Sequence, residues 1–157
     1  EEKLEYFFHS DGKLNKVIRR WIGEESEFFF TADQKIDYII QRSNTSRQNF
    51  AYSDEGQQIT TIDLKTNNLL MVEQIGFDEK MRVTHLERYN SSHQLVTGEY
   101  STYNQQGHLI EYKMKTQDEV QPVYDDRYQY KYDEYGNWIE KLVINTPIRY
   151  IRAIKYF

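Results

Sequence analysis

The stretch Arg127-Tyr128-Gln129-Tyr130-Lys131-Tyr132 carries tyrosine at every second position, with polar residues between. Successive side chains of a β-strand point to opposite faces of a sheet, so this pattern predicts a strand with its tyrosines on one face. A helix would spread them around its surface, because its side chains repeat every 3.6 residues. The next residues, 133–137, are typical of a turn, and Trp138 follows them. The segment therefore predicts two strands joined by a tight turn.

The same alternation recurs in shorter stretches at 4–8, 36–40 and 81–85, and the composition favours strands throughout. The chain of 157 residues has 14 Tyr and 8 Phe but Ala at only three positions, and aromatic and β-branched residues suit a pleated surface. We therefore predict an all-β protein of about twelve strands. Residues 1–157 are expected to form a single domain that buries roughly 70% of the unfolded chain's surface around a core.

An internal repeat connects the predicted strands. Its template is an aromatic residue, a glycine four positions later and a large apolar residue six positions later. The complete copies are Phe8/Gly12/Leu14, Tyr103/Gly107/Leu109 and Tyr132/Gly136/Trp138. The copies that lack the glycine begin at Phe30, Phe77 and Tyr89, and a copy at Tyr52 keeps Gly56 but reaches Ile59 one position late.

Each copy predicts a β-hairpin. One strand ends on the aromatic residue, a polar side chain caps the turn, and glycine supplies the positive φ that other residues avoid. Gly12, Gly56, Gly107 and Gly136 are therefore expected to be structural turn residues. Successive hairpins make an antiparallel meander. Since no helix is predicted to cover it, the sheet should be strongly curved, close in a barrel-like way or pack on itself.

The phrases at 6–17 and 130–138 resemble the YD repeats of bacterial RHS-type surface and toxin-shell proteins. The phrase Tyr-Asp-x-x-Gly-Asn-Trp at 132–138 and the closing stretch 152–157, which is similar to a last strand, also resemble small exported proteins of Bacteroidetes. A weaker similarity to MORN-like antitoxin repeats spans 89–109. These resemblances imply an extended β-meander that shelters, displays or binds something. They carry no catalytic motif.

Composition and charge exclude several classes of function. The chain has no Cys, which removes disulfides, thiolate nucleophiles and cysteine-based zinc sites. No apolar run approaches the roughly 18 residues of a membrane-spanning helix. A net charge of −5 argues against nucleic-acid binding. No motif for a cofactor is present, so none is predicted.

Two sets of residues have the chemistry for catalysis or metal binding. His85 and Glu87 stand two apart on a predicted strand and should share a face, but no third ligand can be named, so no metal site is predicted. Glycoside hydrolysis needs two suitably spaced carboxylates, and four glutamates lie among apolar strand residues. These are Glu73, Glu87, Glu111 and Glu140. With 25 acidic residues such pairs arise by chance, so we predict no enzyme and keep glycoside hydrolysis as an alternative.

The tyrosine ladder Tyr128, Tyr130 and Tyr132, followed by Trp138, is the candidate binding site. Residues at i, i+2 and i+4 stand about 6.6–6.8 Å apart along one face, so an exposed ladder would offer flat platforms to a sugar chain or a peptide. The alternative is that these rings form the core.

These observations predict a non-enzymatic binding or structural module that meets a glycan or a protein partner. The chain starts at Glu1 rather than Met, which predicts a removed segment and export to the periplasm or cell surface, with or without a lipid anchor. A cytoplasmic location is the alternative. The alternative function is an immunity or antitoxin-type protein that blocks a toxin through an acidic surface.

Overall fold

In the computed structural model, residues 2–54, 56–117, 122–144 and 146–156 are described, and they contain thirteen β-strands. The strands are β1 (Lys3–Phe8), β2 (Leu14–Trp21), β3 (Glu24–Phe30), β4 (Ile36–Gln41), β5 (Ser46–Tyr52), β6 (Gly56–Asp63), β7 (Leu69–Phe77), β8 (Val83–Asn90), β9 (Leu95–Tyr103), β10 (Leu109–Thr116), β11 (Tyr124–Tyr132), β12 (Trp138–Val143) and β13 (Arg149–Ile151). The described residues include no helix, and so none that is long and apolar enough to cross a membrane. The all-β prediction is confirmed.

All thirteen strands belong to one antiparallel sheet in which each strand pairs with its neighbours in sequence. The predicted meander is therefore confirmed, with one strand more than expected. Barrel-like closure, in contrast, is wrong. In the described part of the chain the first and last strands lie at opposite ends of the strand order and form the two edges of an open sheet.

The sheet is a single layer, because contacts between strands occur only between sequence neighbours in the described regions. The expectation that it packs on itself is therefore also wrong. The accessible surface is 11208 Å², whereas a compact protein of 19.1 kDa would expose about 8,400 Å². Folding thus buries about 60% of the unfolded surface rather than the expected 70%. Val17 and Ile18 are buried although they point to opposite faces, since flanking side chains cover each of them.

Ion pairs occupy much of the two faces. We call the face with Tyr130 the tyrosine face and the face with Glu27 the glutamate face. On the glutamate face, Glu27 is only 6% exposed and contacts Arg42 and, at 3.2 Å, Lys16. Burial would raise the pKa of Glu27, but hydrogen bonds from these two cations outweigh it and lower the pKa. On the tyrosine face, Arg88 joins Glu73 at 2.9 Å and Glu99 at 3.1 Å.

The repeat template describes six hairpin turns of the same geometry. In each, the aromatic residue pairs directly with the apolar residue six positions later, next to a register shift. The pairs are Phe8 with Leu14, Phe30 with Ile36, Phe77 with Val83, Tyr89 with Leu95, Tyr103 with Leu109 and Tyr132 with Trp138. In the first turn the amide of His9 donates to the carbonyl of Lys13 at 2.8 Å, and the amide of Gly12 donates back to His9 at 3.0 Å. The equivalent two bonds occur in the other five turns.

The fourth turn residue has left-handed backbone whether or not it is glycine. Gly12, Gly107 and Gly136 have φ of 82°, 89° and 81°, and the equivalent non-glycine residues have φ between 59° and 62°. These are Gln34, Met81 and His93.

Gly56 is different, and the expectation of a positive φ there is wrong. It is the first residue of β6 and pairs with Gly76. A Cβ at position 56 would lie 2.2 Å from the carbonyl oxygen of Ile75, so glycine is required by the close approach of β7. The copy at Tyr52 is also paired differently, with Gln57, and Glu55 lies outside the described residues.

The closing stretch is not a strand. The last strand, β13, ends at Ile151, before the predicted segment begins, and 152–156 has no regular structure. The amide of Arg152 still donates to the carbonyl of Ile139 at 3.0 Å, so the chain stays beside β12 for one residue more. Phe157 lies outside the described residues.

Candidate functional site

The three ladder tyrosines lie on the same face of β11, as the alternation predicts. The pairing of β11 with β12 and of β12 with β13 places further side chains beside them. Tyr130 is opposite Lys141, and Lys141 is opposite Tyr150. We call the group that results the aromatic cluster: it contains Tyr128, Tyr130, Tyr132, Trp138, Tyr150, His108 and Lys141.

The rings of the aromatic cluster contact one another on the tyrosine face, and most of these contacts involve Tyr130. The ring centroids of Tyr130 and Tyr132 are 6.2 Å apart with an interplanar angle of 29°. His108, from the turn between β9 and β10, stacks on Tyr130 at 5.1 Å and lies 5.5 Å from Tyr132. Trp138 meets Tyr130 edge to face at 6.4 Å. Such offset and edge-to-face geometries are favourable for aromatic pairs.

The hydroxyl groups of the ladder form hydrogen bonds within the protein. Tyr128 donates to Asp126 at 3.2 Å, and Tyr130 donates to the carbonyl of Leu109 at 2.9 Å. The hydroxyl of Tyr132 accepts a bond from Asn104 at 2.8 Å and lies 2.9 Å from Nδ1 of His108. Burial raises the pKa of Tyr130, so its hydroxyl stays protonated and donates near neutral pH. These bonds fix the direction in which each ring points.

The ladder is neither a closed core nor a fully exposed surface. Tyr128, Tyr130, Tyr132 and Trp138 are all half-buried, and the material that covers them is neighbouring side chains of the same sheet. In the described part of the chain no second layer lies over this face, because only adjacent strands contact each other.

Lys141 lies at the centre of the cluster. Its ammonium nitrogen is 3.9 Å from the ring centroid of Tyr128, 5.6 Å from that of Tyr150 and 6.0 Å from that of Tyr130. A cation over aromatic faces is attracted by their negative charge density. The cluster therefore combines flat apolar surface with a positive charge.

Three members of the cluster, His108, Lys141 and Tyr150, were not predicted as site residues. Neither was the nearby Arg152, whose Cζ is 5.4 Å from the Trp138 ring. Their positions depend on the register in which β11, β12 and the last segment pair, and on the hairpin formed by β9 and β10, which carries His108. The alternation in Trp138-Ile-Glu-Lys141 does indicate that Ile139 and Lys141 share a face. It does not indicate which residues of β11 they oppose.

His85 and Glu87 share the glutamate face, as expected, but the hydrogen bonds of Glu87 come from tyrosines and not from His85. Glu87 accepts hydrogen bonds from Tyr100 at 2.6 Å and Tyr89 at 2.5 Å, which lower its pKa. Burial and the bond to Glu87 raise the pKa of Tyr100 to about 12. The ring of His85 lies over Gly76 and lines an open hollow of about 380 Å³.

The other three candidate carboxylates are bound by cations. Glu73 contacts Arg88, Glu111 contacts Lys113 and Arg127, and Glu140 contacts Lys131 and Arg149. A hydrogen bond from Lys131 is the main cause of the lowered pKa of Glu140. A general acid of a glycosidase needs a raised pKa instead. Within the described residues, no three or more His, Asp or Glu side chains form a group that could hold a metal ion.

Comparisons with known proteins bear on the fold alone. No family model matches the chain, and no curated protein matches it by sequence. Among solved structures, the chain is similar to a porin-like protein from Bacteroides vulgatus ATCC 8482, with 10% identity and a TM-score of 0.50. The match covers 89% of this chain and 85% of that chain.

Proposed function

We propose that this chain is a non-enzymatic binding module of an exported bacterial protein and that the aromatic cluster binds an extended glycan. The observation that supports this best is the ladder itself: Tyr128, Tyr130 and Tyr132 follow one another along a face that no second layer of the described chain covers. Amphipathic rings at successive strand positions match the repeated apolar faces of a sugar chain.

The fixed orientation of the rings supports the same proposal. Each ladder hydroxyl has a hydrogen-bond partner inside the protein. Rings that are already ordered lose less conformational entropy when a ligand binds, so more of the contact energy appears as affinity. The ligand would contact the half-exposed ring surfaces rather than the hydroxyl groups.

An antitoxin-type function receives less support. It requires an acidic surface that could meet a basic toxin, and the net charge of −5 suggested one. On the sheet faces, however, many carboxylates are paired with cations. Glu5 and Glu25 both contact Arg20, and Glu140 contacts Lys131 and Arg149. Such pairing reduces the negative charge available to a partner.

The test is a screen of the parent protein on an array of neutral and acidic polysaccharides, followed by calorimetric titration of the strongest soluble binder. Tyr130→Ala should lose most of the binding, because its ring joins those of His108, Tyr132 and Trp138. Tyr38→Ala is the matched control, since Tyr38 is also half-buried and stacks on Phe29 at 4.3 Å, but on the opposite face.

Both variants should remain folded. Each removes one half-buried ring from a single-layer sheet, which we expect to cost on the order of 1–2 kcal/mol, less than the roughly 3–5 kcal/mol of a fully buried aromatic. An empty array, or equal loss of binding in both variants, would contradict the proposal.

A further inference from the structure

Two cations, Lys141 in the aromatic cluster and Arg152 beside it, have no carboxylate partner among the described residues. Lys141 contacts rings alone, and Arg152 contacts the ring of Trp138. Most other arginines form ion pairs. The paired arginines are Arg19, Arg20, Arg42, Arg82, Arg88, Arg127 and Arg149. The cluster is therefore locally basic on a chain whose net charge is −5.

The two cations lie on the same face. Lys141 is opposite Tyr150 on β13, and the amide of Arg152 donates to the carbonyl of Ile139. Residues 139 and 141 are alternate residues of β12, and 150 and 152 are alternate residues of the last segment. Both cations thus belong to the tyrosine face, at diagonal positions on adjacent segments of the sheet, about 7–8 Å apart.

Contact with a ring leaves the hydrogen-bonding capacity of these cations unused. An ammonium group has three N–H donors and a guanidinium group has five, and an aromatic face holds the cation without accepting conventional hydrogen bonds from them. The carboxylate of Asp126 is on the same face and keeps its charge, but it accepts the hydroxyl bond of Tyr128 and forms an ion pair with neither cation among the described residues. Lys141 and Arg152 therefore offer donors and positive charge to an anion from solution.

The geometry points to an anionic glycan as the ligand, one that carries carboxylate or sulfate groups along its chain. This inference rests on the proposed function, since the rings would still bind the sugar faces. Lys141 and Arg152 would bind two oxyanions of the same chain, through charge-assisted hydrogen bonds of the kind that arginine and lysine form with carboxylates and sulfates. Lys141 is half-buried among the rings, which partly exclude water and strengthen its bond to an anion, whereas Arg152 is exposed.

The test compares charged and neutral polymers on the folded chain. The probes are polygalacturonate, heparin and the fully methyl-esterified form of polygalacturonate, which has the same backbone without the charge. The parent should bind polygalacturonate or heparin more tightly than the ester, and the binding should weaken with added salt. The double variant Lys141→Gln/Arg152→Gln should bind the charged polymer roughly tenfold more weakly for each cation lost.

A double variant with the same change in net charge is the control. Lys35 and Lys115 also lie over tyrosine rings, at 5.0 Å and 5.6 Å, but away from the cluster. Lys35→Gln/Lys115→Gln should therefore bind the charged polymers like the parent. Equal losses in the two double variants would mean that net charge, and not the two cations, attracts the polymer.

The outcomes separate this inference from the proposed function. If the ester binds as tightly as polygalacturonate, and binding is lost in Tyr130→Ala but kept in Lys141→Gln/Arg152→Gln, the ligand is a neutral glycan and the inference is wrong while the proposed function holds. If no polysaccharide binds the parent, both fail. Thermal melts of every variant establish that a loss of binding is not a loss of folding.

Discussion

Replacing Gly136 with alanine should destabilise the protein, and replacing Met81 with glycine should stabilise it by a similar amount. The two residues occupy the same position of equivalent turns, with φ of 81° and 59°. Their turns also share the same pair of backbone hydrogen bonds. The opposite effects would follow from one cause, the cost of left-handed backbone for a residue with a Cβ.

The magnitude can be worked out from the structure. A non-glycine residue in the left-handed region costs roughly 1–2 kcal/mol. Alanine recovers roughly 0.4–1 kcal/mol of that, because it restricts the unfolded chain more than glycine does. A Cβ added at position 136 meets no atom within 4 Å, so no packing energy enters, and Gly12 is equivalent in this respect. The net change should be about 1 kcal/mol, which corresponds to about 2–4 °C in Tm for a chain of this length.

Met81 is the best partner for this comparison because it is 75% exposed, so its side chain contributes little packing. Gln34 is the instructive exception. Its amide group bonds to the backbone of Leu14, accepting from N at 3.0 Å and donating to O at 3.2 Å. Gln34→Gly should therefore gain less than Met81→Gly, or lose stability.

Differential scanning calorimetry and urea denaturation of the single variants would measure these changes. We expect Met81→Gly to have the highest Tm and the parent the next. Gly12→Ala and Gly136→Ala should have similar values of Tm, both below that of the parent. The reasoning would be refuted if Gly136→Ala left the Tm unchanged or if Met81→Gly lowered it. Either result would mean that the turns do not impose left-handed backbone in solution. The urea m-value should stay constant, since these variants change no large surface.

Three further predictions concern single residues. Gly56→Ala should destabilise more than Gly136→Ala in the same melts, because its Cβ would meet the carbonyl of Ile75 at 2.2 Å. Ile22→Asn should raise the Tm, because Ile22 is a β-branched, 78% exposed residue at φ 40° before Gly23, where Asn-Gly is preferred. Hydrogen bonds from two tyrosines lower the pKa of Glu87, so the stability it contributes should be lost as the pH falls below about 4.3. In Glu87→Gln, the fall of Tm between pH 7 and pH 3 should be smaller than in the parent. An equal fall in the two proteins would count against this.

The strand order and the turns could be predicted from the sequence because both depend on local patterns. The alternation of 127–132 determines which side chains share a face. The six-residue interval between Tyr132 and Trp138 determines which residues pair across the turn. Even the copies without glycine were recognisable, since Phe77 and Val83 kept the ends of the template.

The absence of a second layer in the described structure could not be predicted in the same way. Alternation shows which residues share a face, but not whether anything covers that face. Val17 and Ile18 are both buried on a single sheet because long side chains on neighbouring strands lie over them. That covering depends on cross-strand neighbours: Ile18, for example, lies between Glu5 of β1 and Glu27 of β3. The members of the aromatic cluster beyond the ladder were missed for the same reason.

The aromatic cluster links the packing of the last strands to the proposed function. β13 has three residues and pairs with one neighbour, so it contributes few backbone hydrogen bonds. Lys141 connects it to β11, because its ammonium group lies over rings of Tyr128 and Tyr150 from the two strands on either side. A ligand anion that binds Lys141 would act on a group that already bridges three strands. Binding and the docking of β13 are therefore expected to be coupled, since both depend on the position of one ammonium group.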